Sequence, residues 1–383
     1  MNPDWQRRRL IELARLFLWL GTIGFGGPPA HLTLIEEATV RRRKWLSPEA
    51  FVDLVGLTNL IPGPNSTEMA MVVGYRRAGW PGLVVAGLCF IAPAAAITVT
   101  LAWAYVRFGA LLGAVALLAG TAPAVVAVMA VGVVRIGRTA IRSWPLLAVA
   151  IVVAALALAH VDPFVLLVGG AICGLAWGSW RPAMATVVAV LGGHASLAAL
   201  ASLAGSAHPQ PRLVEIATFF LKIGAILYGS GYVLVALLRT LVSPLAWLTE
   251  QQLLDSIAAG QVTPGPVLTT ATFIGYLLNG PTGALVATIA IFLPAFFFVS
   301  ILEPVIGRVG TSPRARRFLD LVNATAIGLM AGVTIQLTGN LWGRPRLWPA
   351  AIVAAAIGLT GYSAAWMLLA AVLLTLFVNV AVL

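Results

Sequence analysis

Charge is what this chain has least of. Only 10% of its 383 residues are Asp, Glu, Lys or Arg, against roughly 25% in a soluble globular domain. With 60% of the residues hydrophobic, too little polar surface remains to face water on all sides, which excludes a soluble enzyme or binding module. Cysteine is nearly absent, and Cys89 and Cys173 both lie in apolar runs, so neither a disulfide framework nor a metal spacing can be built from them. There is no glycine-rich phosphate loop before a Lys-Ser/Thr pair, no cluster of His, Cys and carboxylates, and no nucleophile beside a base. No cofactor and no metal is expected. The formal charge of +11 invites a nucleic-acid reading, but the arginines sit in the connections between apolar runs, the distribution of a positive-inside membrane protein.

What is present in quantity is apolar sequence. Apolar runs recur at Gly82–Tyr105, Leu111–Val134, Leu146–Ala159, Phe164–Trp177, Gly283–Leu302, Leu319–Leu337, Pro349–Leu359 and Ala364–Leu383; the longer ones suffice to cross about 30 Å of hydrocarbon, and the shorter ones must tilt little or lie where the membrane is thinned. The composition therefore predicts an all-α, polytopic membrane protein. The basic stretch Met1–Arg9 leads into Leu10–Leu20 with Glu12 and Arg15 inside it and no small-residue cleavage site behind it, so no cleavable signal is expected.

The chain is organised around Ile61-Pro62-Gly63-Pro64-Asn65-Ser66-Thr67-Glu68, which interrupts an apolar helical stretch and returns about two hundred residues later as Thr263-Pro264-Gly265-Pro266-Val267-Leu268-Thr269-Thr270. The flanks return with it. Trp45-Leu46-Ser47 is echoed by Trp247-Leu248-Thr249, Asp53 by Asp255, Asn59 by Gln261, Gly74-Tyr75 by Gly275-Tyr276 and Pro93 by Pro294. Proline removes a backbone donor and clashes with the preceding turn, so each Pro-Gly-Pro ends one half-helix and starts another. In lipid, the freed backbone groups are tolerated only where they are buried in protein or line a cavity, and matching breaks in two halves point to a transporter's binding site. The competing reading is a pair of packing kinks.

Earlier in each half, Leu10–Ile23 reads as a helix broken by Gly24-Phe25-Gly26-Gly27-Pro28-Pro29, after which Ala30–Val40 runs helically to Arg41-Arg42-Arg43-Lys44. Phe219–Leu227 corresponds to the first helix, with Gly229 and Gly231 in the region of Gly26 and Pro28, while His31 has no histidine partner. Residues 1–180 form the first repeat, 181–212 a linker in which Pro182–Gly205 is read as a span, and 213–383 the second repeat. If each broken pair returns to its own side, Arg7–Arg9, Arg41–Lys44, Arg76, Arg77, Arg135, Arg138, Arg142, Arg181, Arg308, Arg314, Arg316 and Arg317 share one side. Only Arg107, Arg212, Arg239, Arg344 and Arg346 take the other. The repeats are then inverted, the N-terminus is cytoplasmic and the termini lie on opposite sides; without the span at Pro182–Gly205 the repeats would be parallel.

Asn65, Ser66 and Thr67 are expected to cap the half-helix after the first break, whose N-terminus favours an anion through its free N–H groups and dipole. Few charges lie at membrane depth, and each is a functional candidate there. Lys222, inside Phe219–Leu227, is expected to supply charge for the anion, or else to snorkel. Glu68 is a candidate carrier of a coupling proton, or else a first-turn acid complementing the dipole. His31 is able to titrate near neutrality. The residues expected to hold the anion are Gly26, Gly27, Pro28, His31, Asn59, Pro62, Gly63, Pro64, Asn65, Ser66, Thr67, Lys222, Gly229, Gly231, Gln261, Pro264, Gly265, Pro266, Thr269 and Thr270.

Phe25-Gly26-Gly27-Pro28 followed by Ala30-His31, the Trp45-Leu46-Ser47 opening and Pro62-Gly63-Pro64 before a glycine-rich span together resemble the chromate ion transporter family, in its long form with two homologous halves. The resemblance covers nearly the whole chain, although the second half reads Gly229-Ser230-Gly231 where the first has its Gly-Gly-Pro. It implies a multi-pass inner-membrane transporter that expels chromate, an oxyanion shaped like sulfate, at the expense of the proton gradient. The partners implied are chromate or sulfate, protons, the lipid bilayer and, as one option, a second copy in a homodimer, with nucleic acid excluded. Two other readings stay open: sulfate or another small anion as substrate, and a membrane-embedded lipid-headgroup transferase with Glu36, Glu37 or His31 as base.

Overall fold

The computed structural model describes residues 3–58, 61–109, 120–176, 211–227, 233–242, 245–302, 313–342 and 345–380. Among them all regular structure is helical. The first half comprises α1 (Pro3–Ile23), α2 (Pro28–Glu36), α3 (Pro48–Thr58), α4 (Asn65–Phe108), α5 (Thr121–Ala140), α6 (Trp144–Leu158) and α7 (Pro163–Ala176). In the second lie α8 (Leu213–Ile226), α9 (Val233–Leu238), α10 (Glu250–Val262), α11 (Thr270–Leu302), α12 (Pro313–Trp342), α13 (Trp348–Leu359) and α14 (Ala364–Val380). Pro182–Gly205, read above as a span, lies outside the described residues. Among the described residues four stretches are long and apolar enough to cross a membrane: Asn65–Phe108, Thr121–Ala140, Val267–Ile301 and Arg317–Gly339. Large apolar side chains such as Trp144, Val214 and Phe377 are exposed on the outer surface, as a lipid-facing shell requires.

Local sequence explains the starts. Pro28 and Pro29 occupy the first helical positions of α2, where a missing N–H costs nothing. The expected α-helix over Ala30–Val40 instead widens into a π turn at Glu37–Arg42. Ser47 caps α3 through Ala50 N–H to its Oγ, 3.2 Å. Thr249 caps α10 in a reciprocal box with Gln252.

Neither α4 nor α11 is one straight rod. In α4 the backbone leaves the helix at Ala78 (φ −145°, ψ 20°) and Gly79 (φ 64°, ψ −151°), and in α11 at Asn279 (φ −150°, ψ 37°) and Gly280 (φ 57°, ψ −151°). Only glycine holds the second conformation without strain. Twelve residues along a straight helix span about 18 Å, yet a Cβ placed on Gly74 would lie 2.6 Å from the Cβ of Ala86. The chain therefore doubles back, giving arms α4a (65–77) and α4b (80–108). The second half repeats this: a Cβ on Gly275 would lie 2.7 Å from Ala287 Cβ, so α11a (270–278) folds against α11b (281–302).

The broken pair α3–α4a is re-entrant. The Arg77 guanidinium at the end of α4a lies 4.7 Å from the ring of Trp45, just before α3. Arg9 on α1 donates to the Arg77 carbonyl, 2.8 Å, and Arg77 pairs with Glu12 at 2.9 Å. Entry and exit thus share one end of the molecule.

Equivalent helices cross antiparallel. Gly74 and Gly275 set a repeat offset of 201 positions, which pairs Gly87 with Thr288. Were α4b and α11b parallel, these two would stand at one height. Instead a Cβ on Gly87 would lie 2.7 Å from Phe296 Cζ, two turns beyond Thr288. Likewise a Cβ on Gly137 of α5 would lie 4.0 Å from Ile327 of α12, three turns away from its equivalent, Thr338. The two-fold axis therefore runs perpendicular to the helices, the arrangement of inverted repeats.

The later helices exchange partners across that axis. Helix α12 packs on α6 and α7, as α5 packs on α13 and α14. Gly328 and Gly332 bring α12 against Ala150 and Ala154, and Gln336 donates to the Ala157 carbonyl, 2.7 Å. In the mirror contact Arg135 donates to the Gly358 carbonyl. At the centre α1 lies on α4 and α8 on α11, while α4 and α11 pack on each other.

Candidate functional site at the crossed breaks

Each Pro-Gly-Pro break is docked onto the opposite half. Gly63 donates its N–H to the carbonyl of Leu227, at the end of α8, over 2.6 Å, and Gly265 donates to the carbonyl of Gly24, at the end of α1, over 2.7 Å. Both glycines have positive φ, +138° and +88°. Ala295 lies beneath Gly63 and Ala94 beneath Gly265, at 3.6 and 2.7 Å from a Cβ placed on each glycine. The two breaks and the two long helices therefore form one central, symmetric body, buried at Pro62, Gly63, Pro64, Pro264, Gly265 and Pro266.

Around the second break the threonine hydroxyls are paired, while His31 Nδ1 is not. His31, buried to 1% exposure, approaches the Gly24 carbonyl with Nε2 at 2.9 Å, and since a carbonyl only accepts, Nε2 carries the proton. Its ring stands edge-on to Phe90 at 5.4 Å, and Nδ1 has no partner. Thr269 Oγ1 donates to the Pro266 carbonyl, 2.9 Å, and Thr270 Oγ1 to the Val267 carbonyl, 2.8 Å. A short 3₁₀ turn, Val267–Thr269, precedes α11a. This break closes on itself.

The first break does not. Here α4a starts directly on Pro64 as N-cap, with no side-chain capping hydrogen bond. Ser66, Thr67 and Glu68 are 1%, 0% and 0% exposed, yet Ser66 Oγ, Thr67 Oγ1 and both carboxylate oxygens of Glu68 have no hydrogen-bond partner. The expected capping by Ser66 and Thr67 is thus corrected: their hydroxyls are left unused, because the proline carbonyl and not a side chain receives Thr67 N–H, 2.7 Å. Buried polar groups are nearly always paired, since each unpaired one costs about 1–3 kcal/mol. Four such atoms beside a helix N-terminus, with its positive dipole end, mark a place built for something polar to enter.

Several expected residues lie elsewhere. Lys222 is exposed on the outer face of α8, its Nζ 5.2 Å from the Phe164 ring centroid. Gly224, two positions on, faces the Ile291 backbone. At 100° per residue, Lys222 then points away from the centre. Gly26 is exposed, Gly27 and Pro28 are half-buried beside it, and Gln261 is half-buried at the end of α10. Asn65 and the buried Pro62 to Pro64 stand at the first break. Asn59, Gly229 and Gly231 lie outside the described residues. Glu36 and Glu37 pair with Arg41 and Arg42 at 3.1–3.6 Å on the surface. Among the described residues no group of His, Cys, Asp and Glu is arranged to hold a metal ion.

Asp53 and Asp255 share a repeat position and nothing else. Asp53 is exposed. Asp255 is 3% exposed and accepts from Thr121 (2.7 Å) and Gln251 (2.8 Å) at Oδ1 and from Tyr105 (2.9 Å) at Oδ2. It thereby ties α10 to α4b and α5. It stands at the wall of an apolar cavity of about 730 Å³ between α4b, α5, α10, α11 and α14. Apart from Asp255, Tyr105 and Thr121, which are bonded to one another, the residues lining it are apolar. Sequence reading also missed the carbonyls of Gly24 and Leu227. Their signal was positional, since both fall at the end of the first helix of their repeat.

The sequence has known relatives. The model of the chromate transporter family matches residues 11–175 and again 214–376. The chromate transport protein of Cupriavidus metallidurans is 32% identical over 86% of this chain and 82% of its own length. That of Pseudomonas aeruginosa is 33% identical over 85% and 80%. An uncharacterized transporter of Methanocaldococcus jannaschii is 25% identical over 85% and 84%. No solved structure matches the chain significantly. Two inverted copies, each broken by Pro-Gly-Pro and matched separately by that model, make the chain a member of the chromate transporter family.

Proposed function

We propose that the protein carries a small oxyanion across the membrane, chromate first among them, and that the anion binds at the first Pro-Gly-Pro break. The carrying observation is the set of unpaired, fully buried polar atoms of Ser66, Thr67 and Glu68 at the uncapped start of α4a. Two hydroxyl donors and a positive helix end suit a tetrahedral oxyanion that must shed its water. Chromate as the substrate rests on the names of the relatives from C. metallidurans and P. aeruginosa, and sulfate, of the same shape and charge, is its natural competitor. Export coupled to proton movement, with Glu68 as proton carrier, completes the reading.

The test is flux of labelled chromate through vesicles reconstituted with the purified protein, with and without an imposed pH gradient. A Ser66→Ala, Thr67→Val double variant is expected to slow flux at least about tenfold, since losing one hydrogen bond to an ion amounts to roughly 1.5–3 kcal/mol. Lys222→Met is expected to transport. Full flux from the double variant would move the site away from the first break.

The protein is proposed to lie in the inner membrane with its N-terminus cytoplasmic. Arg9, Arg41–Lys44 and Arg77 cluster at one end of the molecule around Trp45, and arginine-rich ends stay inside. Reporters fused before Met1 and after Leu383 are expected on opposite sides. Both on one side would contradict this orientation of the inverted halves.

A further inference from the structure

The two breaks share a geometry and differ by one charge. Gly265 makes its positive-φ turn and its cross-half hydrogen bond with no acid nearby in its own segment, where the residues matching Glu68 are threonines. The architecture of a break therefore needs no carboxylate. Yet at the first break Glu68, in the first turn of α4a, folds back so far that a Cβ on Gly63 would clash with its Oε1. The carboxylate lies on the break itself, fully buried, with both oxygens unpartnered.

Among the described residues no cation balances it there. Of the elements packed against α4, α11 carries no charged residue. On α2, His31 is turned to Gly24 and Phe90, and Glu36 pairs with Arg41. Glu49 and Asp53 on α3 are exposed, and Asp255 on α10 is bonded to Tyr105, Thr121 and Gln251. Arg9 and Glu12 on α1 are engaged with Arg77, nine positions from Glu68 at the other end of α4a, and Arg15 is exposed. Lys222 on α8 faces outward. What the position offers a negative group is the helix N-terminus, the feature that also suits the transported anion.

We propose that Glu68 is a tethered competitor for the anion site: ionised, its carboxylate occupies the cradle at Pro62-Gly63-Pro64, and an external oxyanion takes that place only as Glu68 takes up a proton. This rests on the first break being the anion site. In the exchange one O–H bond forms on the glutamate, the proton coming from solvent, and the oxyanion replaces the carboxylate at the helix end. Nothing is oxidised or reduced. The neutral acid is then free to donate to the bound oxyanion, whereas two negative groups in one dry cradle repel each other by several kcal/mol.

The measurement is chromate binding to the purified full chain by equilibrium dialysis, over an alkaline range in which chromate remains a dianion. Proton uptake is followed with an indicator dye in weak buffer. Wild type is expected to lose about tenfold in affinity per pH unit, the linkage of one proton to one anion, and to take up a proton for each chromate bound. Glu68→Gln is expected to bind with the affinity of the protonated wild type at every pH and to take up none. Wild-type binding that ignores pH, or that takes up no proton, overturns the proposal. The proton measurement needs no variant, so a poorly folding Glu68→Gln does not blunt it. The Ser66→Ala, Thr67→Val variant keeps the two ideas apart. Loss of binding in that variant, with no pH slope in wild type, retires the competitor and keeps the site. Unchanged binding in that variant retires the site itself.

Discussion

Alanine at position 63 is expected to abolish anion flux while the protein still inserts. Gly63 has φ +138°, a backbone state whose strain for any other residue is on the order of 1–3 kcal/mol. The added methyl would also occupy the place of Glu68 Oε1, so the carboxylate must swing out of the cradle or the break must open. Opening it breaks the 2.6 Å hydrogen bond to Leu227 and separates the two halves at that point. The flanking helices, buried over most of α4a, keep the chain in place. Flux in reconstituted vesicles and monodispersity on gel filtration together check this. Wild-type flux from Gly63→Ala would show that the break is not where the anion passes.

A larger residue at Gly74 acts on folding instead. Gly74→Leu is expected to remove the protein from the membrane fraction almost entirely. The Cβ would run into the Gly82 carbonyl and lie 2.6 Å from Ala86 Cβ, and a helix backbone, unlike a side-chain tip, has no way to step aside. The arms of the hairpin must then splay, which uncovers the buried face of α4a. Overpacking a tight site commonly costs about 1–3 kcal/mol. Here the clash is with main chain and lies at the upper end of that range or beyond it. Gly275→Leu, against the Gly283 carbonyl and Ala287, is expected to match it, because the second hairpin repeats the first. Gly79→Ala meets no atom within 4 Å and carries only the backbone strain of its turn, so it is expected to accumulate at a reduced level. Normal levels of Gly74→Leu would contradict the doubled-back path of α4.

The backbone plan was legible because proline and glycine restrict the chain wherever they stand. Pro62-Gly63-Pro64 and its echo follow from residues whose effect is local, whereas the inversion of the halves was read from the distribution of the arginines and the turns at Gly79 and Gly280 were not foreseen. The chemistry of the two breaks was less legible, since Thr269 and Ser66 offer the same hydroxyl in the sequence. One returns its proton to a carbonyl three residues behind and the other leaves it unused, a difference decided by the 3₁₀ turn at Val267–Thr269. Lys222 was misplaced by reading depth without phase: the face of α8 was given by Gly224. The burial of Asp255 depends on Tyr105 and Thr121, more than a hundred residues away and without counterparts beside Asp53, so its repeat position alone held no hint of it.

The exchange of later helices across the two-fold axis bears on the order in which the chain becomes whole. As the first half leaves the ribosome, α6 and α7 emerge before the long helix they embrace has been made, and α5 waits until α13 and α14 arrive. Until then their small-residue faces, Ala150, Ala154 and Ala157 among them, have no protein to rest on and meet lipid. The lock closes only when the final helices slide into place, so the molecule is assembled as a clasp whose two ends are fastened last.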